Sequence, residues 1–202
     1  DEQELDARGE SVLLAFLLAT VLQRFAEVAD RRADFGFATT CRGAALALKA
    51  QAEEYGWNGA AYGEGDAATQ AWAAIAGANP GRVTAVLAAL DTSAVQDERT
   101  AAWTALALAG QGAGTRAWEL ARRLHPLASA AGTPCFMIDA AGAAAGWTQL
   151  LLTDGLLGLQ RSAERLALAP LLPAGWDSLR FRYRNGLSLI HISEPTRRRG
   201  NS

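Results

Sequence analysis

The sequence predicts a mainly α-helical protein built of antiparallel helical hairpins and followed by the opening strands of a β unit. Three observations carry this: apolar residues recur at three- and four-residue spacing up to Leu159, Gly and Pro break that pattern at short intervals, and strict alternation replaces it after Leu159. Helices joined by short breaks stack as antiparallel neighbours. Half of the 202 residues are apolar, 45 of them Ala and 28 Leu, which excludes disorder as the main state. The net charge is −2 and the 18 Arg are dispersed, so no nucleic-acid partner is expected. Cys41 and Cys135 build no disulfide framework, and with no His at ligand spacing they build no metal site.

The first helix spans Ser11 to Arg32, with Ser11 as its N-cap and Leu14, Leu17, Leu18, Val21, Leu22, Phe25 and Val28 as its core stripe. The apolar run Val12 to Leu22 is shorter than the roughly 20 residues that cross a bilayer, so it is expected as a core helix and not as a membrane segment. A second helix covers Ala38 to Tyr55 and stops at Gly56-Trp57-Asn58-Gly59. Asp66 caps a third, through Gly77; Asn79-Pro80-Gly81 precedes a fourth, Arg82 to Leu90. A fifth runs from Asp97 to Ala109, a sixth from Thr115 to Leu124 and a seventh from Trp147 to Leu159, with an Ala/Gly/Ser-rich stretch before the last. Residues 165–170 and 178–184 alternate as half-buried strands around the turn Leu172-Pro173-Ala174-Gly175-Trp176.

The chain opens at Asp1, and the expectation is that it starts inside a longer polypeptide, with the N-terminal half of its own fold as a missing partner. The stretch Leu187 to Arg197 resembles the translation of a transposase sequencing adapter, so residues 187–202 are expected to be a non-native, disordered tail. The division expected is 1–160 helical, 161–186 β, and 187–202 tail.

Several blocks then fall in a familiar order: Gly9-Glu10-Ser11-Val12, Gly56-Trp57-Asn58-Gly59 with Tyr62, Asp66-x-x-x-Gln70-x-Trp72, Gln96 through Ala101-Ala102-Trp103, and Arg116-Ala117-Trp118-Glu119-Leu120 through Pro126. Ala145-Gly146-Trp147, Leu156 to Leu159, Arg165 to Leu168 and Leu172 to Trp176 continue the order. Together they resemble glycoside hydrolase family 94, which holds cellobiose and chitobiose phosphorylases and the phosphorylase-like domain of cyclic β-1,2-glucan synthases; the last block also resembles family 65. The resemblance implies the C-terminal half of an (α/α)6 barrel running into a C-terminal β-sandwich, a bacterial cytoplasmic setting or the cytoplasmic domain of a larger membrane protein, a β-linked oligosaccharide or glucan as partner, and inorganic phosphate as co-substrate with no other cofactor. A homodimer is left open.

By that resemblance no catalytic residue lies in this chain, because the general-acid Asp is expected upstream of Asp1. Inverting phosphorolysis needs one acid to protonate the leaving oxygen and a held phosphate to attack the opposite face. Arg99 stands where the family carries a phosphate-contacting His, and Gly142 and Ala143 stand at its Thr-Gly pair, so Arg99 and two backbone N–H groups are the phosphate-binding candidates. Thr92 replaces a family Glu. Asp66 and Gln70 lie four apart on one helix face and are candidates for sugar hydroxyls, weighed against helix capping and loop anchoring. Trp57 and Trp72 are the candidates for sugar stacking, the other Trp residues being expected in the core. Two further readings stand beside the enzyme: a degenerate sugar-binding or scaffolding domain of the same fold, and an unrelated helical-hairpin interaction module. The third lacks the tandem repeat such modules carry.

Overall fold

The computed structural model describes residues 11–124, 146–161, 166–172, 178–185 and 188–195, and among them the protein is mainly helical. Six α-helices come first: α1 Val12–Arg31, α2 Phe35–Tyr55, α3 Ala67–Ile75, α4 Pro80–Ala89, α5 Glu98–Gly110 and α6 Gly114–Ala121. A helical segment at 146–150 then widens into a π-helical turn, Leu151–Leu156. Strands β1 (Leu159–Arg161) and β2 (Leu166–Leu168) pair antiparallel, as do β3 (Ser178–Asn185) and β4 (Ser188–Pro195).

Short polar side chains start most of these helices. Ser11, Asp34, Asp66, Asn79 and Asp97 each accept a hydrogen bond from a backbone N–H in the first turn that follows, satisfying donors that the helix itself leaves free. Asp34 moves the start of α2 three residues ahead of the expected Ala38, and Pro80, preorganised for a first helical position, moves the start of α4 ahead of Arg82. The seventh helix is shorter than expected. It gives way to the π turn and then to Gly158 at φ +58°, where a Cβ would lie 2.2 Å from the Ala169 carbonyl oxygen. The Gly158 carbonyl accepts from Ala169 N–H at 3.1 Å, and Trp118 Nε1 donates to the Leu171 carbonyl at 2.6 Å, so the segment after β2 is tied to both the π turn and α6.

The helices form two rows. α1 packs on α3, α3 on α5, and α5 on the π turn, so alternate helices are neighbours; α2, α4 and α6 each pack on the helix before them. Arg116 and Arg123 strap the α4–α5 connection by donating to the carbonyls of Leu87, Leu90, Thr92 and Val95. The main core runs from Phe16 through Tyr62, Trp72, Val83, Trp103 and Leu108 to Leu156. Thr104 sits inside it with its hydroxyl unpartnered. Thr104→Val is therefore expected to raise stability by about 1 kcal/mol in urea unfolding, since it removes a buried polar group at nearly constant shape.

One expectation is corrected. The expected core stripe of α1 is largely its outer face. Phe16, Ala19, Ala26 and Ala29 are buried, whereas Leu14, Leu18, Val21, Phe25 and Val28 are exposed. The physical reason is the partner: α2 offers Ala38, Cys41 and Ala45, and small residues on both helices let the backbones approach while the larger ones stay outside. By length and composition α1 is also apolar enough to cross a membrane, because the helix continues beyond Leu22. Ser188–Pro195 falls in the stretch read from the sequence as a tail. The backbone pairs it with β3, Phe181 standing opposite Ile192 and Tyr183 opposite Ile190, and the two-residue spacing of Ile190 and Ile192 suits a strand.

Candidate functional site

Among the described residues lies a groove of about 770 Å³ that is open to solvent. α1 contributes Leu17, Thr20, Val21, Arg24 and Phe25; α3 contributes Trp72, Ala74 and Ile75; α5 contributes Leu106, Ala107 and Gly110, with its C-cap Gln111; the 146–156 segment contributes Trp147, Leu150 and Asp154. Every wall is thus a member of the alternate row, and α2, α4 and α6 supply none.

Local chemistry sets each wall. Trp72, Trp103 and Trp147 form a cluster with ring centroids 5.3 to 5.9 Å apart and near-perpendicular planes, the edge-to-face arrangement that aromatic quadrupoles favour. Trp72 and Trp103 are buried with Nε1 unpartnered, and Trp147 is half-buried at the groove. Gly155 lets the π turn press against α5: a Cβ there would meet Leu106 at 3.2 Å and Ala109 at 3.3 Å. That approach sets Asp154 on the groove beside the C-terminal end of α5. Asp154 Oδ1 accepts from the Thr153 hydroxyl at 2.9 Å, and across the groove Thr20 donates to the Phe16 carbonyl at 3.0 Å. The groove is therefore apolar along its length, aromatic on one wall, and furnished with one cation, one carboxylate, one amide and one hydroxyl.

Among the described residues that the sequence offers as ligand candidates, only Trp72 reaches this groove. Asp66 caps α3, its Oδ1 accepting from Thr69 N–H at 2.8 Å. Gln70 is buried and anchors the preceding loop: its Oε1 accepts from Tyr62 N–H at 3.1 Å and its Nε2 donates to the Tyr62 carbonyl at 2.7 Å. Trp57 bridges to Tyr62 and carries the Arg82 guanidinium 4.8 Å from its ring centre. Arg99 is exposed and lies 5.2 Å from the Trp103 ring, outside the groove lining. Gly142 and Ala143 lie outside the described residues, as does His125. Leu17, Arg24, Gln111, Trp147 and Asp154 were not singled out as ligand contacts; the repeated three-and-four spacing marked helices but gave no sign of which faces would meet.

A second polar cluster fixes the loop that carries Trp57. Glu53 accepts from the Tyr62 hydroxyl at 2.9 Å, from Asn79 N–H and from Arg82 Nη1, which also bonds the Glu53 carbonyl at 2.8 Å. Burial first, and then the Glu53 carboxylate, push the Tyr62 phenol up to about 12. The unfolded phenol ionises near its ordinary 10, so the native state holds its proton where the unfolded state has lost it, and stability present below pH 10 declines between pH 10 and 12. Tyr62→Phe is expected to remove that share of the alkaline decline, read as the difference between the two proteins' melting temperatures from pH 9 to 12. At the start of α5, Thr100 N–H holds the Asp97 carboxyl below the usual range, as its capping role requires.

Among the described residues no group of three or more His, Cys, Asp or Glu is placed to hold a metal ion. No family model matches the chain, and no curated protein matches it.

Proposed function

We propose that this chain is part of an (α/α)6 barrel of the family 94 type, continuing into a C-terminal β-sandwich, and that it holds a β-linked glucoside in the groove walled by its alternate helices. The observation that carries the reading is the origin of the lining: every second helix along the chain supplies it, as the inner row of a ring of hairpins would. The groove chemistry fits the same ligand. A β-glucoside has an apolar face of C–H groups for the Trp147 ring and an edge of hydroxyls for planar polar groups such as Asp154, Gln111 and Arg24. Arg24, the one cation in the lining, is then the group to meet inorganic phosphate, in place of the more distant Arg99. The role assigned to the groove is binding, with Asp154 as a hydroxyl ligand.

Isothermal titration of the full chain with cellobiose, chitobiose and short β-1,2-glucans, with and without phosphate, tests this. Saturable binding to at least one is expected, weakened tenfold or more in Trp147→Ala and in Asp154→Ala. Absence of saturation with all of them, or binding that both variants leave intact, contradicts the proposal.

A further inference from the structure

The groove changes character along its length. Trp72, Trp103 and Trp147 meet at one level, and the lining residues of their three elements stand at that level or later in the chain. Ile75 follows Trp72, Leu106 and Gln111 follow Trp103, and Leu150 and Asp154 follow Trp147. α1 runs the same way as α3. Phe16, near its start, meets the ring of Tyr62, which precedes α3, at 5.2 Å, and Lys49, midway along the returning α2, donates to the Gly77 carbonyl just past the end of α3. The lining side chains that carry a charge or an amide, Arg24, Gln111 and Asp154, therefore gather at one end, away from the Trp level. The rest of the groove has no such group. Thr20 donates its hydroxyl proton to the Phe16 carbonyl, Trp72 Nε1 is buried, and Leu17, Val21, Ile75 and Leu106 make up the surface between.

We infer that the ligand is a β-glucoside with an apolar aglycone, an alkyl or aryl group, and not a chain of sugars. The inference rests on the glucoside reading above and names its substrate class. One glucosyl unit takes the polar end, its C–H face on the wall of Trp147 and Leu150, and the β-linked group lies along Leu17, Val21, Ile75 and Leu106. A second pyranose in that place would give up water at its hydroxyls and find no protein side chain to replace it, whereas a hydrocarbon group gains from leaving water. The size agrees: about 770 Å³ is more than one hexose fills and falls in the range of sites that enclose drug-sized ligands. Cellobiose then binds through one glucosyl unit, with the other left toward solvent at the open side.

Isothermal titration of the full chain with methyl, butyl, hexyl and phenyl β-glucosides and with cellobiose tests the assignment. Affinity is expected to rise at least twofold for each CH₂ from methyl to hexyl, complete burial being worth about fourfold. Phenyl β-glucoside is expected to bind at least tenfold tighter than methyl β-glucoside, and cellobiose no tighter than methyl β-glucoside. Ile75→Ser and Leu106→Ser, both at half-buried positions, are each expected to cut hexyl affinity at least fivefold more than methyl affinity. An alkyl series without slope, cellobiose binding tenfold tighter than methyl β-glucoside, or equal losses for hexyl and methyl in both Ser variants would overturn the aglycone assignment and leave the glucoside reading standing. 1-Hexanol binding as tightly as hexyl β-glucoside, or no saturable binding of any glucoside, would overturn both.

Discussion

Gln70→Leu is expected to destabilise the protein by about 3 kcal/mol, without weakening glucoside binding by the folded fraction. The substitution keeps volume and removes the amide. Tyr62 N–H then loses Gln70 Oε1, its acceptor at 3.1 Å, and stands unpaired beside a side chain that is fully buried. The Tyr62 carbonyl loses a donor at 2.7 Å and keeps only Gly65 N–H, and the Asp66 carbonyl loses a longer contact at 3.3 Å. One orphaned buried donor and two lost hydrogen bonds together reach that magnitude. The loop carrying Trp57 and Tyr62 is expected to open first, visible as faster amide exchange at residues 57–63. A variant that kept wild-type stability and lost sugar binding would instead make Gln70 a ligand contact.

Trp72→Ala is expected to cost about 3–5 kcal/mol, the range for removing a buried Trp. Trp72 is 3% exposed and meets both Trp103, at 5.4 Å, and Trp147, at 5.3 Å, so its loss leaves a cavity at the junction of α3, α5 and the 146–156 segment. Trp147→Ala removes a half-buried ring and is expected to cost less stability while affecting binding more. The pair of variants separates scaffold from ligand contact. Urea unfolding gives the first quantity and calorimetric titration the second. Equal losses of stability in both would show that the aromatic cluster acts as a single core unit, with Trp147 contributing nothing special to the groove.

These two residues also mark what could be read in the sequence. Local signals were legible: Ser11, Asp66 and Asp97 were expected at helix starts and do cap helices there, because a short side chain meeting first-turn N–H groups is a property of a few adjacent residues. The capping and anchoring roles weighed for Asp66 and Gln70 are the ones their hydrogen bonds display. The orientation of α1 was not legible. Apolar residues at three-and-four spacing identify a face, but α1 carries Ala19, Ala26 and Ala29 on one side and Leu14, Leu18 and Phe25 on the other, and only the smallness of the α2 partners decides which side is buried. The groove was hidden for a related reason. Arg24, Gln111 and Asp154 are far apart in the chain and meet only through the packing of alternate helices, while the π turn that presents Asp154 has no residue pattern that announces it.

The most direct measurement is a ¹H–¹⁵N spectrum of the Trp indole N–H groups of the full chain, assigned by single substitution and titrated with the β-glucoside that binds best. Groove binding predicts that the Trp147 signal shifts with saturation, with a smaller response at Trp72 and none at Trp57. A titration in which Trp57 shifts while Trp147 stays fixed would place the ligand at the Glu53–Arg82 loop and contradict the account.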